Sequence, residues 1–252
     1  GGIMQCHSGT RFVNNFSIGH SRGVEAFTSL TEPIDDVLIA NNSFVNGWGW
    51  DLFQVENSPT LHSNFRILGN HFSNSEATKN QAYPSLEIRS SLNTIVSGNT
   101  WSNILTLAGQ VGVVKIDSQT GGITNLLFSD NILSSGGFWG LTSWEGAARQ
   151  DQIVIRNNIF NNMGRHALRV AGNDMLIEGN QFSEWGTNST TEAIELQSAA
   201  RTGSNIVIRA NIFNDSTPDN GIEILSFTNV FLLDTIYIRA GTKIIDSGGR
   251  VT

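Results

Sequence analysis

Val37-Leu38-Ile39-Ala40-Asn41-Asn42-Ser43-Phe44 is the stretch that decides the fold. Apolar residues alternate up to an Asn, and a large apolar residue follows two positions later. The phrase returns at 65–72, 153–160, 175–182 and 206–213. Looser copies stand at 94–101, 126–133 and 230–237, where Thr235 replaces the Asn, and an irregular copy stands at 12–16. The anchoring residues Asn42, Asn70, Asn99, Asn131, Asn158, Asn180 and Asn211 are spaced 28, 29, 32, 27, 22 and 31 residues apart. A recurrent phrase at such a period marks a stacked repeat, and the scatter suits short strands joined by loops that absorb insertions.

Within the phrase the apolar period is two, as in a strand with one buried face. The inward column before the Asn reads Ile39, Ile67, Val96, Phe128, Ile155, Ile177, Ile208, and the column after it reads Phe44, Phe72, Trp101, Leu133, Phe160, Phe182, Phe213. Asn suits the corner because it tolerates the left-handed region and bonds neighbouring backbone. Stacked Asn side chains also bond one another. A second strand precedes each phrase, read at 24–27, 50–53, 86–89, 114–117, 139–142, 168–171, 194–197 and 222–225. Its first and third positions are mostly apolar, and its second and fourth point outward.

These repeats resemble the right-handed parallel β-helix proteins: pectate-lyase-like and pectinase-like enzymes, alginate and chondroitin lyases, and phage tailspikes. The resemblance spans about 23–237 and implies an all-β, right-handed parallel β-helix of about eight to nine coils. It implies one domain over 1–252, with an irregular or truncated first coil at 1–22 and a terminal strand or cap at 238–252. It also implies a polysaccharide partner, an extracellular, virion or cell-surface location, and a homotrimer if the chain is tailspike-like. Because the repeat is structural, activity must be argued from a site.

Composition narrows the classes. A net charge of −7 without a basic run argues against nucleic acid. The apolar runs are too short to span a bilayer as a helix. A single cysteine, Cys6, excludes an internal disulfide. The first residues lack the basic start and apolar core of a signal peptide. The chain begins almost inside a repeat with no evident capping helix, and a solenoid needs capped ends, so it reads as a fragment of a longer protein or a processed domain.

The outward second positions read Glu25, Asp51, Glu87, Lys115, Gly140, Arg169, Glu195, Glu223, and the fourth positions include Phe53, Arg89 and Asp117. With coils ~4.8 Å apart, Glu25, Asp51 and Glu87 fall on one line. Crowded carboxylates push one pKa up, which glycoside hydrolysis exploits in pairing an acid with a base or nucleophile. Asp51 and Glu87 are the expected pair. The same column is also compatible with ordinary cross-strand ion pairing, since Lys115 adjoins Glu87.

The mixed patch of Glu87, Arg89, Lys115, Asp117 and Arg169 suits β-elimination from a uronic acid, where the resemblance to lyases implies a Lys base, an Arg and calcium. A hydrolase needs no cofactor. No Arg-His-Gly follows Arg169, and the paired Asp with His-Gly of pectinases is missing. Trp48, Trp144 and Trp185 are expected in or near loops, where indoles either offer platforms for sugar rings or pack against the sheet under a turn, while Trp50, Trp101 and Trp139 are expected in the core. Tyr83 lies in the long segment 73–85, which with 104–112 could wall a groove. Glu25, Arg89, Trp48, Trp144, Tyr83, Glu195 and Glu223 are thus expected to bind substrate, and Asp51, Glu87, Asp117, Lys115 and Arg169 to act in catalysis. His166 is expected to be a structural histidine near the groove. The expected function is a carbohydrate-directed β-helix, most simply a polysaccharide hydrolase or lyase. The alternatives are a glycan-binding adhesin or tailspike module and a structural stem.

Overall fold

The computed structural model describes residues 4–19, 22–26, 33–47, 50–54, 62–74, 83–104, 112–118, 121–145, 149–187, 191–197, 203–216, 220–225, 227–239 and 244–246. Its strands form three parallel sheets, here A, B and C, of ten, nine and nine strands. The chain visits A, B and C in turn and then starts the next coil, so every strand pairs with the strand three elements on. This is a right-handed parallel β-helix, the hand that parallel crossovers adopt. Two strands, Met4–Gln5 and Ile244–Asp246, form the ends of sheet A.

The repeated phrase builds sheet B, the corner and sheet C. In the copy at 153–160, Gln150–Arg156 is a strand of sheet B and Ile159–Met163 one of sheet C. The inward column Ile39 to Ile208 is 0–4 % exposed, and the column after the Asn is 0–1 % exposed. Rings stack directly between coils. Phe44 lies 5.1 Å from Phe72, and Phe72 lies 5.0 Å from Trp101. Farther along, Phe182 lies 5.3 Å from Phe160 and 4.9 Å from Phe213. Offset aromatic stacks add to plain burial.

The Asn residues form one ladder. Each donates its side-chain Nδ2 to Oδ1 of the Asn one coil on, at 2.9 Å from Asn42 to Asn70, 2.9 Å to Asn99, 3.1 Å to Asn131, 3.0 Å to Asn158, 2.9 Å to Asn180 and 3.0 Å to Asn211. The backbone N–H donates to the same oxygen, as Asn158 does to Asn180 at 2.9 Å. The irregular copy at 12–16 joins through Asn15, which donates to Asn42 at 3.0 Å. One expectation is corrected here. The ladder Asn does not itself take the left-handed conformation; the residue before it does. Asn41, Gly69, Gly98, Asp130, Asn157, Gly179 and Ala210 have φ between 53° and 67°. The corner's two tasks, a left-handed turn and buried hydrogen bonding, therefore fall on two successive residues.

The inward column two residues earlier on sheet B contains a polar misfit. Thr94 sits in register with Leu126, is 1 % exposed, and its hydroxyl has no hydrogen-bond partner. A buried hydroxyl without a partner costs about 1–3 kcal/mol, and an apolar isostere removes the penalty. Thr94→Val is therefore expected to raise the thermal midpoint by roughly 2–4 °C or more, read by circular dichroism. An unchanged or lowered midpoint would mean that the hydroxyl finds a partner.

Candidate functional site

Sheet A carries the charged side chains, and backbone register fixes their rows. One row contains Glu25, Phe53, Glu87, Lys115, Thr142, Arg169, Glu195 and Glu223. Two expected members are displaced. Leu86 pairs with Leu52, so Phe53 rather than Asp51 faces Glu87 across the ladder. Thr142 rather than Gly140 pairs with Lys115. Asp51 lies two residues earlier on its strand, so Asp51 and Glu87 are not the aligned pair that the sequence suggested. Glu25 shares the row of Glu87, but the strand Trp50–Gln54 intervenes. The side chains of Glu25, Asp51, Phe53 and Trp144, and the whole of Trp48, lie outside the described residues. The backbone of Trp144 belongs to the strand Trp139–Glu145 and pairs with Asp117, not to a loop. Tyr83 is 45 % exposed, ahead of the strand Leu86–Arg89. Trp185 lies after the strand Gln181–Ser183 and packs rather than offering a platform: it is 1 % exposed, and its indole N–H donates to the Asn220 carbonyl at 2.9 Å. Trp101 and Trp139 are core, at 1 % and 3 % exposed.

Glu87, Arg89, Lys115 and Asp117 form a closed quartet. The Lys115 ammonium donates to Glu87 Oε1 at 3.1 Å and to Asp117 Oδ2 at 2.7 Å. Arg89 reaches the same Glu87 oxygen through Nε at 3.0 Å and Nη2 at 2.9 Å. Two cations balance two carboxylates that are only 2 % and 1 % exposed. Removing one member of such a network would strand buried charge, which costs several kcal/mol. The quartet offers no open carboxylate, and Lys115 spends its ammonium on two acceptors.

A second cluster, on strands Leu168–Val170, Glu192–Leu196 and Asn220–Ile224 and the turn before the first of them, is different. His166 Nε2 lies 2.7 Å from Glu195 Oε2, and Arg169 Nε lies 3.3 Å from Glu195 Oε1. Arg169 also bonds Gln197, and its guanidinium lies 5.0 Å over the Trp139 ring, a cation–π contact that fixes it. His166 Nδ1 faces the Glu192 carbonyl at 3.1 Å, and Asn220 donates to Glu192 Oε1 at 3.2 Å.

Glu195 and Glu223 are register partners on adjacent strands. Their acidities move in opposite directions. Burial alone would raise the Glu195 carboxyl, but the His166 hydrogen bond and the charges of His166 and Arg169 outweigh it and hold Glu195 below its ordinary range. Glu223 is pushed above its ordinary range by burial first and then by the charges of Glu192 and Glu195. Donor atoms of His166, Glu192 and Glu195 all lie within 4.8 Å of one another, close enough for a divalent cation. Metal ligation would require breaking the 2.7 Å His166–Glu195 bond, so the group fits a cation poorly as it stands.

Glu192 escaped the sequence reading, and His166 entered it as a hydrogen-bonded structural residue first and as one within reach of the groove second. Both occupy the position two residues before the first inward apolar residue, Leu168 or Ile194, a place shared by Trp139 and Asn220. Lining the strands up on Leu141, Leu168, Ile194 and Ile222 would have exposed that row. On the outer face of sheet B, Arg209 bonds Glu178 at 2.7 Å, a surface ion pair of small energetic weight.

No protein-family model matches the chain, and no curated protein matches it by sequence. Solved structures do match in fold. The A-module of the mannuronan C-5 epimerase AlgE4 of Azotobacter vinelandii superposes with a TM-score of 0.59 at 13 % identity, covering 99 % of this chain and 80 % of that one. The surface protein and adhesin PfbA of Streptococcus pneumoniae gives 0.60 at 13 % identity, covering 100 % and 89 %. At this identity the likeness establishes the shared β-helix.

Proposed function

We propose that the protein cleaves a linear glycan laid along the outer face of sheet A, outside the cell or at its surface. Glu223 is the acid and Glu195 the nucleophile. The observation that carries this reading is the register pairing of two carboxylates whose acidities are driven apart, the arrangement that separates acid from base at neutral pH. Their strands are ~4.8 Å apart, near the ~5–5.5 Å of retaining glycosidases. In the first step Glu223 gives its proton to the leaving glycosidic oxygen while Glu195 bonds the anomeric carbon. In the second, Glu223 takes a proton from water, which displaces Glu195. His166 and Arg169 keep Glu195 ionised, and the Glu87–Asp117 quartet braces the neighbouring coils.

A second reading, a glycan-binding face without catalysis, has its own support: Glu195 is only 6 % exposed and already bonded. The two solved neighbours, one named as an epimerase and one as an adhesin, favour neither reading. A panel of neutral and acidic linear polysaccharides separates them. Hydrolysis is expected to yield reducing ends with no absorbance from unsaturated uronides and with retained anomeric configuration. The rate should fall on the alkaline side as Glu223 loses its proton, at a pH above the ordinary glutamate range. It should also fall on the acid side, below that range, as Glu195 gains one. Unsaturated products would establish elimination instead, and binding without reducing ends would leave the adhesin reading.

A further inference from the structure

The outer face of sheet B carries a second track, on a different side of the solenoid. Register places Ile95, Leu127, Val154, Leu176 and Val207 in one outward column on successive coils. All five are partly or well exposed. Exposed apolar surface that is continuous rather than scattered marks a contact site.

Beside it runs a column of left-handed residues: Asn64, Asn93, Asn125, Gln152, Asp174 and Asn205, with φ from 50° to 60°. Their side chains bond along the axis, Asn125 to Asn93 at 2.8 Å, Asn93 to Asn64 at 3.3 Å and Asn205 to Asp174 at 3.0 Å. An amide has two N–H donors and an oxygen with two lone pairs. Each laddered amide therefore keeps one donor and one acceptor site for a ligand, repeated every ~4.8 Å.

A groove of about 680 Å³ is lined by Asn64, Asn93 and Asn125, by Ile95 and Leu127, and by Asp35, Asp36 and Arg66. Asp36 takes Arg11 at 2.6 Å and Arg66 at 2.8 Å. Asp35 accepts from Ser63 at 2.6 Å and Asn64 at 2.8 Å. Both guanidiniums thus pair with Asp36, that of Arg11 from outside the lining, while Asp35 is held by neutral donors. Hydrogen bonds hold both acids below the ordinary range, so both carboxylates stay ionised at neutral pH.

We infer that the outer face of sheet B binds a neutral linear glycan, its C–H faces against the Ile95–Val207 column and its hydroxyls on the Asn64–Asn125 amides. A polymer fits better than a single sugar because both columns continue past the groove at the same spacing. A neutral one fits better than an acidic one because Asp35 and Asp36 outnumber Arg66 in the lining, leaving a carboxylate that repels an anionic chain. The site stands whether or not sheet A is catalytic.

The test is equilibrium binding by Glu223→Gln protein, which is not expected to consume the ligand. The probes are soluble linear β-glucan, mannan and galactan, with polygalacturonate as the acidic comparison. Asn93→Gly/Asn125→Gly removes the amides and keeps the left-handed backbone, and Leu127→Asp breaks the apolar column. At least one neutral glycan is expected to bind, to lose tenfold or more affinity in both variants, and to keep that component in Arg169→Ala, which perturbs sheet A alone. Asn125→Gly, a single exposed change, should lose several-fold with an unaltered melting curve. The inference is overturned if no neutral glycan binds, if the sheet B variants bind like the parent, or if polygalacturonate is the glycan lost from them.

Discussion

Asn158→Ala should lower the stability of the whole solenoid by about 3–5 kcal/mol, measured by denaturant or thermal unfolding. The side chain is fully buried. Its Oδ1 accepts from Asn131 through both the backbone N–H, at 2.9 Å, and the side-chain amide, at 3.0 Å. Its own Nδ2 donates to the Phe128 carbonyl at 3.0 Å and to Asn180 at 2.9 Å. Alanine deletes one residue's atoms but strands groups on three others. Each stranded buried group costs about 1–3 kcal/mol, while removing both partners together would cost little. The double change Asn131→Ala/Asn158→Ala should therefore cost less than the sum of the single changes, a coupling that a double-mutant cycle would reveal. A single-mutant loss below about 1 kcal/mol would mean that water enters the corner and replaces the amide.

Glu223→Gln is expected to lower kcat by roughly 10³-fold or more while leaving the glycan affinity of sheet A nearly intact. General acid–base catalysis supplies ~10²–10⁴-fold, and an amide of the same shape has no proton to give. Stability should move the other way. A glutamate whose folded pKa is raised is disfavoured in its charged form by the fold. That penalty is absent at acid pH and grows as pH climbs through the raised value. Glutamine, always neutral, escapes it, so the midpoint near neutrality should hold or rise, with little difference from wild type at low pH. Glu195→Gln should also abolish turnover, but with a loss of stability, because it breaks the bonds to His166 and Arg169. Full activity in Glu223→Gln would refute the proposed pair. A fall in both activity and midpoint would make Glu223 a structural residue.

The core was legible because corner and flanks lie within one eight-residue phrase, where no insertion can intervene. Phe44, Asn99 and Phe160 could be placed from spacing alone. Sheet A was harder, because loops of variable length separate its strands from that phrase and only alternation marks their phase. A one-residue slip turns a strand's apolar side outward and is easily seen. A two-residue slip preserves the alternation and leaves no trace in the pattern. Both errors were of that silent kind: Trp50 and Leu52 are equally plausible partners for Leu86, as are Trp139 and Leu141 for Val114. The candidate site moved accordingly, from Asp51 and Glu87 to Glu195 and Glu223, whose strand Glu192–Leu196 aligned correctly. The burial of Glu87 and Asp117 was also beyond the pattern, since an outward position says nothing about what covers it.

The Asn ladder also gives the molecule a grain. Each rung from Asn42 to Asn180 sends two donors toward the C-terminal coil, its backbone N–H and one amide hydrogen, and only one amide hydrogen back, as Asn70 does to the Ile39 carbonyl at 3.0 Å. Peeling a coil from the C-terminal side therefore strips two buried donors of their acceptor on the rung left behind. Peeling from the N-terminal side strips one donor and leaves an under-used oxygen, the more tolerable loss for a buried group. Under tension, the solenoid should unravel more readily from its first coils than from its last, as a fabric runs in one direction along its weave.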